Sequence, residues 1–202
     1  MEIREFREFR GFNKNTQMEN SRPGYEYLVV YMLGKVIQDL TFQFCQRFLK
    51  SPKDPTYPNL KLVEQANGAA RSNPQNVAEG FTGESLSSYI MLVGVANGSN
   101  EELAKDFEDY LRHRNLPIWE KDHPKTKEFR RFRVFWLPNS SNSLNTPMLP
   151  SDPEEAANMI LTFCRMEGYL LSLHIKSLEA KHAKEGGFRE NLLKKRLDYR
   201  RR

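Results

Sequence analysis

Three polar side chains in the segment AARSNPQNVAEGF, residues 69–81, have a spacing that could support chemistry. Asn73, Asn76 and Glu79 follow one another at intervals of three, so a helix would place them close to one line. A carboxylate between amides could act as a general base, but such catalysis also needs a nucleophile, a histidine or a second acid nearby. The segment contains no histidine and no second acid. We therefore expect these side chains to satisfy backbone groups or to bond neighbouring helices, and a polar active site is the alternative.

Pro74 limits the local structures that this segment can adopt. Its missing N–H leaves the carbonyl of Ala70 without the usual helical hydrogen bond, and its ring opens that turn. Either one helix continues through Pro74 with a kink, or Asn73 caps a new helix that has Pro74 in its first position. In both cases we expect the helix to end at Gly80.

The histidines give little support for a metal site. His174 follows Glu167 by seven positions, which places both on about the same line of a helix, but a metal would need further ligands. We expect a solvated or hydrogen-bonded pair instead. His113, His123 and His182 have no ligand-like spacing with cysteines or acids.

The cysteines and glycines give equally little support for catalysis. Cys45 and Cys164 are 119 positions apart, each within an apolar helical pattern and neither within a CxxC motif, which favours two reduced, buried thiols over a disulfide. The segment ANGSNEEL, residues 96–103, superficially resembles a phosphate-binding loop but lacks the GxxxxGKS or GxxxxGKT arrangement. Gly94 and Gly98 are better explained as small residues that let a neighbouring helix approach. We therefore predict no enzymatic activity, no metal and no cofactor.

Basic residues are concentrated in two segments, although the chain as a whole carries only +5. Residues 181–202 hold nine lysines or arginines against three acids, so the remaining residues, with 22 basic and 23 acidic side chains, carry a net −1. Residues 121–133 hold six basic residues against two acids. Such clusters can contact nucleic-acid phosphates or an anionic surface, or can be solvated surface alone. The candidate nucleic-acid-binding residues are Lys121, Lys125, Arg130, Arg131, Arg133, Lys194, Lys195, Arg196, Arg200, Arg201 and Arg202.

Four amphipathic segments must position these residues. Apolar side chains recur at steps of three and four over residues 25–50, 59–80, about 84–113 and 153–185, which predicts four long helices. Ser151 or Asp152 offers an N-cap for the last helix, with Pro153 in its first position and glycines at its end. No convincing strand pattern lies in the core. We therefore predict an all-α fold, an antiparallel up-down four-helix bundle.

The segments outside these helices define the predicted organisation. Residues 1–24 form an N-terminal arm, residues 25–188 the bundle and residues 189–202 a basic tail. Residues 114–150 form a long insertion between the third and fourth helices, and FRRFRVFWLP within it could be a short strand. No apolar run reaches the ~20 residues of a membrane span, and the N-terminus lacks the pattern of a secretory signal. We therefore expect a cytoplasmic protein that does not enter a membrane.

Two motifs, in this order, resemble the four helix bundle family, also called the 23S rRNA-intervening sequence protein family. LVEQANGAARSNPQNVAEGF is similar to the family's run of glutamine, Arg–Ala and Ser–Ile–Pro–x–Asn–Ile–Ala–Glu–Gly, and SSYIMLVGVANGSNEEL is similar to its next signature. The ending around AKEGGFREN resembles the subgroup with a C-terminal suffix to the bundle. The residues that we assign to this structural motif are Ser72, Pro74, Asn76, Glu79, Gly80, Gly98 and Glu102.

The resemblance implies an up-down bundle that assembles into a homo-oligomer, typically a pentamer, with no established enzymatic activity. A related protein, the accessory variability determinant of diversity-generating retroelements, binds nucleic acid and a reverse transcriptase. We therefore expect a bacterial, oligomeric and non-enzymatic protein that binds RNA or DNA through its basic segments. The alternative is a scaffold that recognises a protein partner through the insertion or the tail, without nucleic acid.

Overall fold

The computed structural model describes residues 22–51, 56, 58–138 and 143–201, apart from the side chains of residues 188 and 189. The described residues form a short 3-10 helix, Gly24–Tyr27, and the helices α1 (Val29–Phe48), α2 (Leu60–Thr82), α3 (Leu86–His113), α4 (Pro124–Phe129), α5 (Pro153–Glu185) and α6 (Phe188–Arg200). No strand occurs among these residues, so the prediction of an all-α fold is confirmed. Residues 1–21 of the predicted arm and Arg202 of the tail lie outside the described residues.

Local sequence signals explain where three of the long helices begin. The side chains of Asn59, Ser85 and Asp152 each accept a hydrogen bond from a backbone N–H in the first turn of α2, α3 and α5 respectively. Such N-caps satisfy donors that have no partner within the helix. Pro153 follows Asp152 in the first turn of α5, where its lack of an N–H costs nothing. The same helix ends at Gly186, whose φ of 76° favours glycine.

The four long helices enclose one interior. α1 contacts α2 and α5, and α3 contacts the same two helices. Hydrogen bonds between helices show the directions in which the helices run. Where residue numbers that increase along one helix pair with residue numbers that decrease along its neighbour, the two helices are antiparallel. Such pairs are Gln65–Asp106 and Ser72–Ser99 between α2 and α3, and Tyr89–His174 and Asn100–Cys164 between α3 and α5. Both α2 and α5 therefore run antiparallel to α3.

Aromatic packing dominates one part of the interior. The ring of Phe44 is 1% exposed and lies edge-on to Phe107 and Tyr110, with ring centroids 5.0 and 4.8 Å apart. Pairs of this geometry add about 0.5–1.5 kcal/mol beyond the burial of their surface. A second apolar cluster, which includes Val77 and Val93, lies toward the opposite end of α2. Both clusters come from the predicted helical patterns.

The insertion, residues 114–150, packs against the beginning of α5. The backbone N–H of Trp119 donates to Asn158 Oδ1 at 2.8 Å, and its indole Nε1–H donates to Glu154 at 2.9 Å. The short strand expected in FRRFRVFWLP is not formed. Trp136 forms an isolated antiparallel bridge with Leu144, flanked by backbone hydrogen bonds from Leu137 to Ser143 and from Asn145 to Phe135, and this pairing is too short to count as a strand.

Two glycines lie where helices approach closely. A Cβ at Gly34 of α1 would lie 3.3 Å from a side-chain oxygen of α2, and a Cβ at Gly80 of α2 would lie only 2.5 Å from a ring carbon of Tyr89. Gly94 and Gly98 of α3 behave differently, since a Cβ at either would have no described atom within 4 Å. The close helix contact that we expected at these two positions is therefore not made within the described part of the chain.

We predict opposite effects of alanine at two glycines of α2. Gly80→Ala places a Cβ against the buried Tyr89 ring, and such overpacking costs about 1–3 kcal/mol. Gly68→Ala meets no described atom within 4 Å and gains helix propensity, which stabilises by up to ~1 kcal/mol. Urea unfolding of both variants measures the two changes. Equal changes for the two variants would show that Gly80 is not held close to Tyr89.

Candidate functional site

The segment around Pro74 belongs to one uninterrupted helix. α2 runs through this proline, so the alternative in which Asn73 caps a new helix is wrong. Asn73 and Pro74 are both buried, and both face Gly34 of α1. Because proline has no N–H, the carbonyl of Ala70 lacks its helical partner at this point. Asn73 is therefore a polar side chain held inside the bundle.

Glu167 of α5 is a second polar group in this interior. Its side chain is 0% exposed, and neither carboxyl oxygen has a hydrogen bond of normal geometry among the described residues. Burial raises the pKa of Glu167 well above its usual value, and the nearby Asn73 amide offsets only part of that rise. The neutral, protonated carboxyl therefore persists to higher pH than it would in water.

Two asparagines of α3 extend this group of polar side chains. Asn100 Nδ2 donates to the carbonyl of Cys164 at 2.8 Å. A Cβ at Gly168 would lie 3.4 Å from Asn100 Nδ2 and 3.6 Å from Asn97 Oδ1, so this glycine leaves room for both side chains. The side-chain oxygens of all three asparagines and of Glu167 are buried and have no hydrogen-bond partner among the described residues. We call this set the polar layer, and its members are Asn73, Asn97, Asn100 and Glu167.

The chemistry of the polar layer is limited to hydrogen bonding. It contains one acid, and no group of three histidine, cysteine, aspartate or glutamate residues suited to a metal occurs in the described part of the chain. A lone carboxyl that stays protonated can donate one hydrogen bond to a neighbouring amide oxygen, but it has no acid–base partner in the layer. The polar layer therefore offers hydrogen bonds between α2, α3 and α5.

The remaining motif residues lie at the edge of this layer or on the surface. Asn76 Nδ2 donates to the carbonyl and the hydroxyl of Ser72 at 2.8 and 3.0 Å, and the Ser72 hydroxyl lies 2.8 Å from that of Ser99 on α3. Asn76 thus supports a contact between α2 and α3. The side chains of Glu79 and Glu102 are exposed, and neither has a hydrogen bond or an ion pair with the described residues. The contact that we expected Glu79 to make inside the bundle is not observed.

His174 bonds a tyrosine and not the acid on its own helix. Its Nε2 lies 2.7 Å from the Tyr89 hydroxyl, so the pairing of His174 with Glu167 that we considered is not formed. Burial lowers the pKa of His174 and raises that of Tyr89 to about 12. The two rings therefore form a neutral hydrogen-bonded pair between α3 and α5 near pH 7.

The two thiols fit the predicted buried, reduced state. Cys45 and Cys164 are both free and buried. Burial raises the pKa of Cys45 to about 11 and raises the pKa of Cys164 as well. Since the thiolate is the reactive form, neither side chain is suited to nucleophilic catalysis.

The basic residues of the insertion are exposed, but several already have partners. Lys125 is paired with Glu155 of α5, and the guanidinium of Arg133 donates to two backbone carbonyls at 3.1 and 3.2 Å. Lys121, Arg130 and Arg131 are exposed and have no acidic partner among the described residues. Only part of the predicted insertion cluster is therefore available to a phosphate.

The described basic side chains of α6, and that of Arg201 directly after it, are available. The side chains of Lys194, Lys195, Arg196, Arg200 and Arg201 are exposed, and none has an acidic partner among the described residues. Lys195, Arg196 and Arg200 line one shallow depression together with Tyr199, whose side chain is 84% exposed. These four residues are spaced at intervals of one, three and four, so they share one side of α6.

The two basic segments lie at opposite ends of the bundle. The insertion contacts the beginning of α5 through Trp119 and Lys125, whereas α6 follows the end of the same helix. α5 has 33 residues, and a helix of this length spans about 50 Å. The structure therefore does not bring the insertion and the tail into one surface.

No protein-family model, curated protein or solved structure matches this chain. Among the described residues, no helix is long and apolar enough to cross a membrane.

Sequence reasoning did not identify Glu167 as a buried residue, although a signal was present. The apolar seam of α5 passes from Cys164 to Leu171 in a single step of seven, and Glu167 occupies the position where an apolar residue would be expected. An acid inside an apolar seam is a sign of a buried polar contact.

We predict that Glu167 makes the protein less stable as the pH rises. Its raised pKa means that the folded state retains a proton which the unfolded state releases above a pKa of about 4.3. The stabilisation that the neutral carboxyl provides is therefore complete below that pH. Above it the free energy of unfolding falls by up to ~1.4 kcal/mol per pH unit, until the pH reaches the pKa of Glu167 in the folded state. Glu167→Gln should remove this dependence.

Unfolding by urea at a series of pH values measures this effect. Glu101→Gln, which changes an exposed glutamate of α3, is the matched control and should keep the slope of the unmodified protein. Identical slopes for Glu167→Gln and the unmodified protein would show that Glu167 does not titrate inside the bundle.

Proposed function

We propose that this protein is a non-enzymatic helical protein that binds single-stranded nucleic acid through α6. One observation carries the proposal: α6 presents several unpaired cations around an exposed tyrosine on a helix that has no extensive packing against the bundle. The cations suit phosphates, and an exposed aromatic ring is a surface on which a base can stack. A single strand is favoured because its bases are free to stack.

The charge distribution supports the same proposal. The tail segment carries six positive charges more than negative ones, whereas the rest of the chain is close to neutral. A polyanion would therefore be attracted to one end of the molecule. Contacts with phosphates carry no sequence information, so binding by this surface is expected to be tolerant of sequence and steeply dependent on salt.

Assembly into a homo-oligomer belongs to this proposal as well. The likeness of the two motifs to the four helix bundle family supports membership of that family and an assembly of several copies, typically a pentamer. Several copies would place several α6 helices on one particle, which raises the avidity for one strand.

A protein partner is the second candidate for α6. Leu192, Leu193 and Leu197 are 48%, 58% and 45% exposed. Exposed leucines at steps of one and four could pack against a helix of another protein. The same lysines and arginines would then stay in solvent.

We predict that neutralising α6 weakens binding to single-stranded RNA or DNA. The triple variant Lys194→Gln, Lys195→Gln, Arg196→Gln should bind a labelled oligonucleotide more weakly, with a salt dependence reduced by about 0.7 per lost phosphate contact. Fluorescence anisotropy over a range of salt concentrations measures both quantities. Arg130→Gln, Arg131→Gln in the insertion is the matched control.

The two variants separate the candidate surfaces. If the insertion variant loses binding and the α6 variant keeps it, the proposed site is wrong. If the unmodified protein binds neither RNA nor DNA at low salt, nucleic-acid binding itself is wrong. Retention of a defined protein partner that depends on Leu193 and Leu197 would then favour the second candidate.

Tyr199 provides a further prediction for the same site. Tyr199→Ala removes the exposed ring and should cost about 1–3 kcal/mol in binding if a base stacks there, whereas Tyr199→Phe should bind nearly as well as the unmodified protein. The anisotropy assay measures both variants. Equal affinity of all three proteins would show that phosphate contacts alone account for binding.

A further inference from the structure

A groove between α1 and α2 carries polar side chains that neither the bundle interior nor α6 uses. It is a concavity of about 430 Å³, which falls within the ~300–1,000 Å³ typical of small-molecule sites. Gln38, Asp39, Phe42 and Gln43 of α1 and Asn67 and Arg71 of α2 line it.

The two charged residues of the groove come from different helices and are not paired. Asp39 and Arg71 line the same concavity, but no ion pair joins them and neither has another ion pair among the described residues. Burial raises the pKa of Asp39, while Lys35 one turn away acts to lower it. The groove therefore offers a carboxylate acceptor on one side and a free guanidinium on the other.

The uncharged residues supply a stacking surface and hydrogen-bonding edges. Phe42 is 53% exposed, although it lies on a helix whose other aromatic residues are packed. The carboxamides of Gln43 and Asn67 have no hydrogen bond to the described residues, and Gln38 accepts one from Lys35 at 2.8 Å. Each carboxamide can both donate and accept.

These groups match the parts of a nucleotide. An arginine suits a phosphate, an exposed ring suits the face of a base, and carboxamides suit its edge. A carboxylate accepts hydrogen bonds only, so it selects a base edge that presents N–H donors. Guanine presents two adjacent donors, N1–H and N2–H₂, on its Watson–Crick edge. We propose that the α1–α2 groove binds a guanine nucleotide, with Asp39 on the base edge, Phe42 on the base face and Arg71 on the phosphate.

This groove is separate from the proposed nucleic-acid surface. Arg71 immediately precedes Ser72, whose partner Ser99 is adjacent to Asn100, and Asn100 bonds Cys164. From Cys164 to the end of α5 at Glu185 the helix extends about 30 Å. The groove can therefore be tested independently of α6.

Calorimetric titration of the full chain with GMP, AMP, CMP and UMP tests the proposal. We expect saturable binding with GMP preferred. Phe42→Ala should weaken GMP binding about tenfold or more through the loss of stacking. Arg71→Gln should weaken GMP binding but leave guanosine binding unchanged, because guanosine has no phosphate.

Asp39→Asn provides the test of specificity. The substitution keeps the shape of the side chain but adds a donor, and an asparagine pairs well with adenine. The preference should therefore move from GMP toward AMP. Glu64→Gln on α2, which removes an exposed carboxylate outside the groove, is the matched control and should bind GMP like the unmodified protein.

Thermal unfolding of each variant shows whether it is folded. Phe42 and Asp39 are exposed, so we expect both substitutions to leave the fold intact. Absence of saturable binding to any of the four nucleotides would overturn the proposal. The proposal would also be overturned if all four nucleotides bound equally and neither Phe42→Ala nor Asp39→Asn changed that binding. The α6 triple variant should bind GMP normally, so failure at one site is distinguished from failure at the other.

Discussion

The burial of one ionisable side chain constrains the arrangement of the bundle. Glu167 is fully enclosed, and an unpaired charge at such a position would cost several kcal/mol. The folded state therefore favours the neutral carboxyl, with the Asn73 amide close to it and Asn97 and Asn100 beside the adjacent Gly168. Two glycines, Gly34 and Gly168, make room at this level for Asn73 and for Asn100. A shift of α2 by four residues would replace Asn73 with Ala69 or Val77, so the polar layer favours the observed register of α2.

The interior and the surface of this protein serve different purposes. The motif around Pro74 is directed mainly into the bundle, where its amides contact α1 and support α3. The strongest charge lies on α6, which follows the bundle and has little contact with it. Changes at the polar layer therefore act first on stability and register, whereas changes on α6 act on the electrostatic field at one end of the molecule. A fold motif and a binding surface are thus separate in this chain.

Much of the fold could be predicted from the sequence because its signals are local. Apolar periodicity identified the four long helices, and Asn59, Asp152 and Pro153 marked helix starts that the structure confirms. Contacts between side chains of different helices were harder to predict from the sequence. The contact of His174 with Tyr89 joins residues 85 positions apart, so spacing along one helix pointed to the wrong partner. The α1–α2 groove likewise depends on which faces of two helices meet, and no motif in either helix reveals that.

The groove and the polar layer are linked through the same two helices. Asn73 and Pro74 face inward on α2, and Arg71, two positions before Asn73, lines the groove on the outside. On α1, Gly34 permits close approach to α2 one turn before Gln38 and Asp39 enter the groove. The separation of α1 and α2 at Gly34 thus sets the width of the groove beside it. A side chain larger than hydrogen at Gly34 would press on Asn73 and at the same time spread the groove walls, so interior packing and the shape of the outer site are determined together.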